Sequence, residues 1–564
     1  MVSWSIGGFL PAPLAGRSTL LTAAFSTFVL TAFSDHLAGL IVGYVLGAAV
    51  VFSQLVLTIY SSPRAHAQRS TISLSYFLLL AIGVSAVYSS REDQLVWLEW
   101  ASLLIMSVAA WLINALPIFL QTKPLVAANF VHNPSVGRLP RVRTRILLSL
   151  AWASLTIVAM VALTGTPLAP VVTAIIAVIT FAVALWKVVG AWKYADQVRW
   201  RTLRELQRMA PKIVIPYGGT AGFHPNMWYP HIDELDEPYY LVPLTEAAME
   251  KLKRNTNRPM VVPDAQSEMA VRQVIPDSVR IAYYPHNSSK NSLFRADHRY
   301  KHVFVHHGDG DKAASFSPSS AKYDYLFVAG QGAVDRYANN GIVIPPEKFV
   351  VIGRPQTMDI EVAHSKISDI KRPTVLYAPT WYGRNDDENY CSLPIGPQIV
   401  IELIKRDVNV IFRPHPASKS KRAYRDWIKE IQEILKRDLE NSDRQHLWGE
   451  AAEKPTVSQV TNSSDAMVAD VSGIVTDYLQ SGKPYAMATV RFSAEEFERD
   501  FPTSRSAYVI TGADESLTSA LDDLLGDDPL AAERWKTRDY FLGGFEGRGA
   551  VEQFIIESKK IIEA

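Results

Sequence analysis

Cysteine is almost missing: in 564 residues there is one, Cys391. A single thiol cannot close an intramolecular disulfide, and without a cysteine cluster no thiolate zinc site is expected. The chain therefore reads as one suited to a reducing compartment. Cys391 itself is expected to be a small packing residue. Charge is also missing locally: residues 18–33, 37–60, 71–89, 100–121, 146–163 and 169–186 contain no Asp, Glu, Lys or Arg. Each run is about as long as a bilayer-crossing helix, the first being the shortest. A core helix of a soluble protein rarely runs so long without one charge, and six in succession argue against that alternative. The whole-chain values, net charge +1 and 48% hydrophobic residues, average this apolar part with a polar remainder and conceal it.

The connecting loops set the orientation. Arg64 and Arg69 lie in the second connection, and Lys123, Arg138, Arg141, Arg143 and Arg145 crowd the fourth, whereas 34–36, 90–94 and 164–168 are poor in Lys and Arg. Positive loops stay on the cytoplasmic side, so the second and fourth connections are expected there. The first segment, preceded by Arg17, could be signal-like or re-entrant, but the later basic loops still keep the rest of the chain inside. After the sixth run, Lys187, Lys193, Arg199, Arg201 and Arg204 with Trp192 and Trp200 read as a basic helix at the inner leaflet.

From Lys212 the pattern changes to short apolar runs separated by helical stretches. Ile213–Pro216, Tyr240–Pro243, Met260–Pro263, Val279–Tyr284 and Val303–His307 form one series. Val375–Ala378, Val408–Phe412, Ala466–Val471 and Tyr485–Val490 form a second. This is the rhythm of parallel α/β sheets, so two such units are expected, joined by a linker over Gly353–Arg372. A crevice between two sheets is a natural binding site.

Several strand ends carry groups that can do chemistry. His306 and His307 close an apolar run and are followed by Gly308-Asp309-Gly310-Asp311-Lys312. An imidazole has a pKa near neutrality and can serve as a general base, and the glycines permit close approach to a ligand. Structural hydrogen bonding by these histidines is the alternative, and Asp309 with Asp311 is too little for a metal site. Arg413-Pro414-His415-Pro416 ends another run; Arg offers a fork of donors for phosphate oxygens, although a structural corner has the same pattern. Asp470-Val471-Ser472-Gly473 leads into a helix, where free N–H groups suit an anion, and ordinary N-capping by Ser472 is compatible with that role. Asp470 could orient a donor, and Asp477 could anchor the helix. Ala378-Pro379-Thr380-Trp381 ends a fourth run, with Trp381 equally a core residue.

In order, HHGDGDK at 306–312, GRPQTMD at 353–359, YAPTW at 377–381, FRPHP at 412–416 and DVSGIVTDYLQSGKP at 470–484 resemble the CDP-glycerol glycerophosphotransferase family of teichoic-acid and capsule polymer enzymes. The resemblance covers about residues 280–555, including a closing GGFEGRGA at 543–550, and does not cover the six uncharged runs. It implies the GT-B architecture, no metal and no cofactor, and attack of an acceptor hydroxyl on the β-phosphate of a CDP-linked alcohol with departure of CMP. Carried over residue by residue, His307 is the general base; Asp309, which follows in the same turn, is a further catalytic candidate that the resemblance does not supply. Arg413 and His415 lie near the pyrophosphate, Ser472 and Gly473 hold phosphate, Thr380 and Asp470 complete the nucleotide side, and Lys312 is on the acceptor or phosphate side. Two departures stand out: Asp309 and Asp311 occupy positions that are neutral in the family, and Gly473 replaces a hydroxyl residue.

The expected fold class is an α-helical transmembrane domain of about six spans plus tandem Rossmann-type GT-B-like domains. The expected divisions are a membrane domain at 1–192, a basic juxtamembrane helix at 193–211, an acceptor-side Rossmann-like domain at 212–358 and a nucleotide-binding one at 359–564. The expected partners are a CDP-alcohol donor, a lipid-linked or polymeric acceptor at the inner leaflet and the membrane, with no nucleic acid. The expected location is the plasma membrane, multi-pass, with the catalytic part cytoplasmic. A GT-B glycosyltransferase using a nucleotide sugar, or a catalytically degenerate membrane scaffold, are the alternatives.

Overall fold

The computed structural model describes residues 125–131, 169–219, 222, 224–308, 316–383, 389–512 and 515–564. The expected spans at 18–33, 37–60, 71–89, 100–121 and 146–163 lie outside these residues, as do Asp309 and Lys312. The described residues up to Glu205, with Pro263–Ala265, form one compact unit, and Leu206–Val262 with Gln266–Ala564 form another.

The first unit contains a short strand, β1 (Val126–Ala128), and most of a 41-residue helix, Ala169–Met209. This helix takes in the sixth expected span and nearly all of the basic 193–211 segment. Counted over the described residues, no helix is long and apolar enough to cross a membrane. Several side chains of the 169–186 stretch fall outside that count. Among those described, Val171, Ile175, Val178, Ile179 and Trp186 are exposed.

In the second unit, strands form where apolar, β-branched and aromatic runs stop at turn residues. Strands β2 (Ile213–Tyr217), β3 (Tyr239–Pro243), β4 (Met260–Val262), β5 (Ile281–Tyr284), β6 (Lys301–Phe304), β7 (Tyr325–Val328) and β8 (Phe349–Val351) pair in the order β4-β3-β2-β5-β6-β7-β8. All neighbours among them are parallel. Every residue of β2, β3, β4 and β5 is buried, as expected of parallel strands covered on both faces. The connecting helices start at hydroxyl caps: Thr245 accepts from the Ala248 N–H at 3.1 Å and Ser267 from the Ala270 N–H at 3.3 Å. The strand order reverses between β2 and β5. Their ladder stops at Val214–Ala282, two residues before Pro216, which has no N–H with which to extend it.

A second sheet comprises β9 (Thr374–Ala378), β10 (Asn409–Phe412), β11 (Ala466–Ala469), β12 (Tyr485–Ala488) and β13 (Tyr508–Ile510), parallel in the order β10-β9-β11-β12-β13. Alternation along β9 divides its side chains between two cores. Val375 and Tyr377 join Ile399, Leu403, Ile431 and Leu435, whereas Leu376 and Ala378 join Met467, Val475 and Leu479. The two sheets give the mixed α/β, Rossmann-type, GT-B-like layout.

Two features were not visible in the sequence. The connection after β8 is tied down on both sides: Gln356 Nε2 donates to the Met227 carbonyl at 3.4 Å, and Asn462 Nδ2 donates to the Asp359 carbonyl at 2.8 Å. The last helix, Gly549–Glu563, returns to the first sheet, where the Tyr283 hydroxyl donates to Ser558 Oγ at 2.6 Å and Phe554 packs 5.5 Å from Trp228.

Candidate functional site

The reversal between β2 and β5 marks where an open α/β sheet leaves a crevice beyond its carboxyl ends. Three histidines follow adjacent strands there: His224 after β2, His286 after β5 and His307 after β6. The His224 ring lies 4.3 Å from that of His307 and 4.6 Å from that of His286, and His286 and His307 are 5.7 Å apart. His224 is buried, whereas His307 keeps an exposed face while protein surrounds the rest of its ring.

His307 Nδ1 lies 2.9 Å from the Pro285 carbonyl. A carbonyl can only accept, so Nδ1 carries the proton and Nε2 keeps its lone pair. Enclosure lowers the His307 pKa to about 4, against the pull of the Pro285 carbonyl, with His286 and then the Arg354 guanidinium adding to the depression. Burial lowers that of His224 to about 3, with His307 and His286 contributing. The Tyr217 hydroxyl lies 3.1 Å from His224 Nδ1 and accepts from the Gly222 N–H at 2.8 Å. His306 has φ +59, a left-handed conformation uncommon outside glycine, and Trp228 Nε1 holds its carbonyl at 2.7 Å. That kink directly precedes His307.

On the second sheet, three predicted motifs leave the carboxyl ends of adjacent strands: Thr380 follows β9, Arg413 and His415 follow β10, and Asp470, Ser472 and Gly473 follow β11. Asp470 is fully buried, and its Oδ2 accepts from the N–H groups of Thr380 at 2.7 Å and Ser392 at 3.1 Å. The carboxylate thus fixes the β9 turn, and the Thr380 N–H is committed to it. Cys391 is buried as expected and donates its thiol to the Thr380 carbonyl at 2.9 Å. His415 Nδ1 accepts from the Ala417 N–H at 3.1 Å, which leaves its neutral ring with a proton on Nε2. Its ring is exposed and stacks at 6.2 Å on Trp381. Arg413 behaves partly as a structural corner, since Nη1 donates to the carbonyls of Ala452 and, at 2.8 Å, Pro455.

Ser472 occupies the N-cap position of the helix Gly473–Leu479 without making a side-chain cap bond, so ordinary capping is not its role. Its Oγ is buried and has no hydrogen-bond partner among the described residues. A Cβ placed on Gly473 would meet nothing within 4 Å, so the space before this turn is open. Buried polar atoms are generally satisfied, and an orphaned hydroxyl beside open space suits an incoming acceptor group. Ser472→Ala is therefore expected to weaken binding of a phosphate-bearing ligand at this turn about tenfold or more, the worth of one hydrogen bond to a charged group. It should leave unfolding stability within about 0.5 kcal/mol rather than the ~1 kcal/mol of a lost cap. Calorimetric titration and thermal melting read the two effects separately.

Arg354 links the two strand-end clusters. It follows β8, pairs with Asp477 of the helix Gly473–Leu479, and its charge bears on His307. The anchoring expected of Asp477 is thus made by a partner from the GRPQTMD segment. Gly353 precedes it at φ +72, where a Cβ would come within 2.6 Å of Phe545 and 2.7 Å of Ala550. Only glycine permits this approach.

His224, His286 and Arg354 are the members of this arrangement that sequence reasoning missed. Pro285-His286 closes an apolar run as His307 does, a signal that could have found it. Among the described residues no group of three or more His, Cys, Asp or Glu has metal-site geometry.

Residues 286–504 match the family model described as CDP-Glycerol:Poly(glycerophosphate) glycerophosphotransferase. No curated protein matches the chain in sequence. Among solved structures, the wall teichoic acid polymerase TagF aligns with 13% identity and a TM-score of 0.41, covering 65% of this chain and 93% of that one. A putative UDP-N-acetylglucosamine 2-epimerase from Listeria monocytogenes aligns with 14% identity and a TM-score of 0.39, covering 62% and 97%. The S. aureus MnaA–UDP structure aligns with 14% identity and a TM-score of 0.38, covering 63% and 97%.

Proposed function

We propose that this chain, a CDP-glycerol glycerophosphotransferase-like enzyme, transfers an alditol phosphate, glycerol phosphate or similar, from a CDP-alcohol to a hydroxyl of a cell-envelope glycolipid or polymer. The observation that carries the reading is the pair of opposite imidazole tautomers. His307 Nδ1–H is held by the Pro285 carbonyl, which leaves Nε2 able to accept a proton. His415 Nδ1 accepts from Ala417 N–H, which leaves Nε2–H able to donate to a phosphate oxygen. One is set up as a base and the other as an anion-binding donor.

In the proposed step the acceptor oxygen attacks the β-phosphorus while its proton passes to His307 Nε2. The new P–O bond forms as the bond to the CMP oxygen breaks, and CMP leaves with that electron pair. Ser472 Oγ, the Gly473 turn and His415 hold the pyrophosphate, Thr380 shapes the nucleotide side, and Asp470 fixes the turn that presents it. Arg413 is assigned a supporting role through its remaining guanidinium donors. Asp309 and Lys312 are assigned to the acceptor side of the His307 turn.

We further propose that 1–192 anchors this enzyme in the plasma membrane with the transferase on the cytoplasmic face, where a lipid-linked acceptor would be met. The uncharged runs, the basic second and fourth connections and the exposed apolar residues of the helix Ala169–Met209 support this reading.

Membranes carrying the chain, supplied in turn with labelled CDP-glycerol, CDP-ribitol and UDP-sugars, test the function. Acceptor-dependent release of CMP is expected. Release of UDP without CMP would move the assignment to a glycosyltransferase, and no turnover by the folded chain would favour a noncatalytic scaffold.

A further inference from the structure

The His307 surroundings contain an arrangement that its role as a base does not require. A buried general base is commonly oriented by a carboxylate, which also stabilises its protonated form. Among the described groups that bear on the protonation of His307, the Pro285 carbonyl, His286 and Arg354, there is no carboxylate. The carbonyl that fixes its tautomer belongs to the residue immediately before His286, so one turn supplies both the orienting acceptor and a competing imidazole. From the other side the His224 ring packs edge-on against His307 at 4.3 Å and leans on His286 at 4.6 Å. Tyr217, at the end of β2, contacts His224 Nδ1 at 3.1 Å and is itself fixed by the Gly222 N–H. Three adjacent strand ends thus converge on one imidazole.

We propose that His286 and His224 are positioning residues for the base, which they hold in place and confine to its neutral form. The inference rests on the assignment of His307 as base. His286 acts because a charge on its ring, 5.7 Å away, opposes a second proton in the cluster. Arg354 opposes it from the segment after β8. His224 acts by filling the space between the two rings and keeping water from the inner side of His307. A base set this way remains unprotonated in mildly acidic medium and releases its proton readily once transfer is complete.

The test is the pH profile of kcat/KM for the full-length enzyme with saturating acceptor. For the wild type the acidic limb is expected well below the ordinary imidazole value of 6.5, in the direction of the depressed His307 pKa of about 4. His286→Asn is expected to move that limb upward, so that the ratio of activity at pH 5 to that at pH 8 falls at least about threefold. Donor KM should stay near its wild-type value. His224→Gln, which opens the cluster to water, is expected to shift the limb in the same direction and to lower kcat. A wild-type limb near 6.5, or a limb that neither variant moves, would overturn the inference. Calorimetric donor binding by both variants separates a displaced limb from loss of folding. The base assignment has its own test, loss of turnover in His307→Ala, so an inactive His307→Ala combined with an unmoved limb in His286→Asn rejects only the positioning role.

Discussion

His307→Ala is expected to lower turnover about 10²- to 10⁴-fold, the range that general-base catalysis contributes, while donor affinity stays close to wild type. The separation follows from the structure. His307 belongs to the β6 end of the first sheet, whereas the candidate phosphate ligands Ser472, Gly473 and His415 belong to the second. On the proposed assignment, removal of the imidazole takes away the proton acceptor and leaves the proposed phosphate ligands of the second sheet untouched. Single-turnover CMP release with preformed donor complex measures the chemical step, and calorimetry measures the affinity. Full turnover in this variant would reject His307 as base. His224 and His307 also make stability depend on pH. Their folded pKa values lie below the unfolded 6.5, so the stability they contribute is fully present above that value and is lost as pH falls toward about 3 for His224 and about 4 for His307.

Arg354→Ala is expected to produce the largest loss of stability. The Arg354 side chain is 8% exposed and that of Asp477 15%. Deleting one partner of such a buried pair leaves the other charge stranded, typically at about 3–5 kcal/mol. For a unit of this size that corresponds to a fall in melting temperature of about 4–7 °C. Replacing both residues by Met should recover most of the loss, because neither variant side chain then needs solvation. The acidic limb should be shifted upward in the single and the double variant alike, since the guanidinium charge that opposes protonation of His307 is absent from both. Recovery of stability without recovery of the pH profile would separate the structural contribution of Arg354 from its electrostatic one. A melting temperature unchanged by the single substitution would contradict the pairing.

The strands that sequence reasoning recovered are those with a strong local signal. Ile213–Tyr217 and Thr374–Ala378 are dense apolar runs that stop at turn residues, and both are interior strands of their sheets. Tyr325–Val328, Phe349–Val351 and Tyr508–Ile510 were missed; the last two are three-residue edge strands, too short to display a period. The same distinction runs through the candidate site. His307 and His415 were legible because each follows an apolar run and precedes glycine or proline. His224 lies in a segment whose character comes only from the loop after β2, and it meets His307 because β2, β5 and β6 are neighbours out of chain order. Arg354 and Asp477 are 123 positions apart, and no local pattern relates them. The role of Ser472 shows a further limit: sequence identified a capping residue type, and only the unmade cap bond distinguished a vacant hydroxyl from an ordinary helix start.

The return of Gly549–Glu563 to the first sheet makes the chain topologically circular in its packing. This helix supplies Phe554, whose ring sits among Trp228, Tyr283 and Phe327. A nascent chain released at the end of β13 would therefore have made both sheets and still present an unfilled aromatic seat on the earlier one. Residues 549–563 complete a sheet begun more than three hundred positions upstream, so a truncation that removes them would injure a sheet whose own strands are all intact.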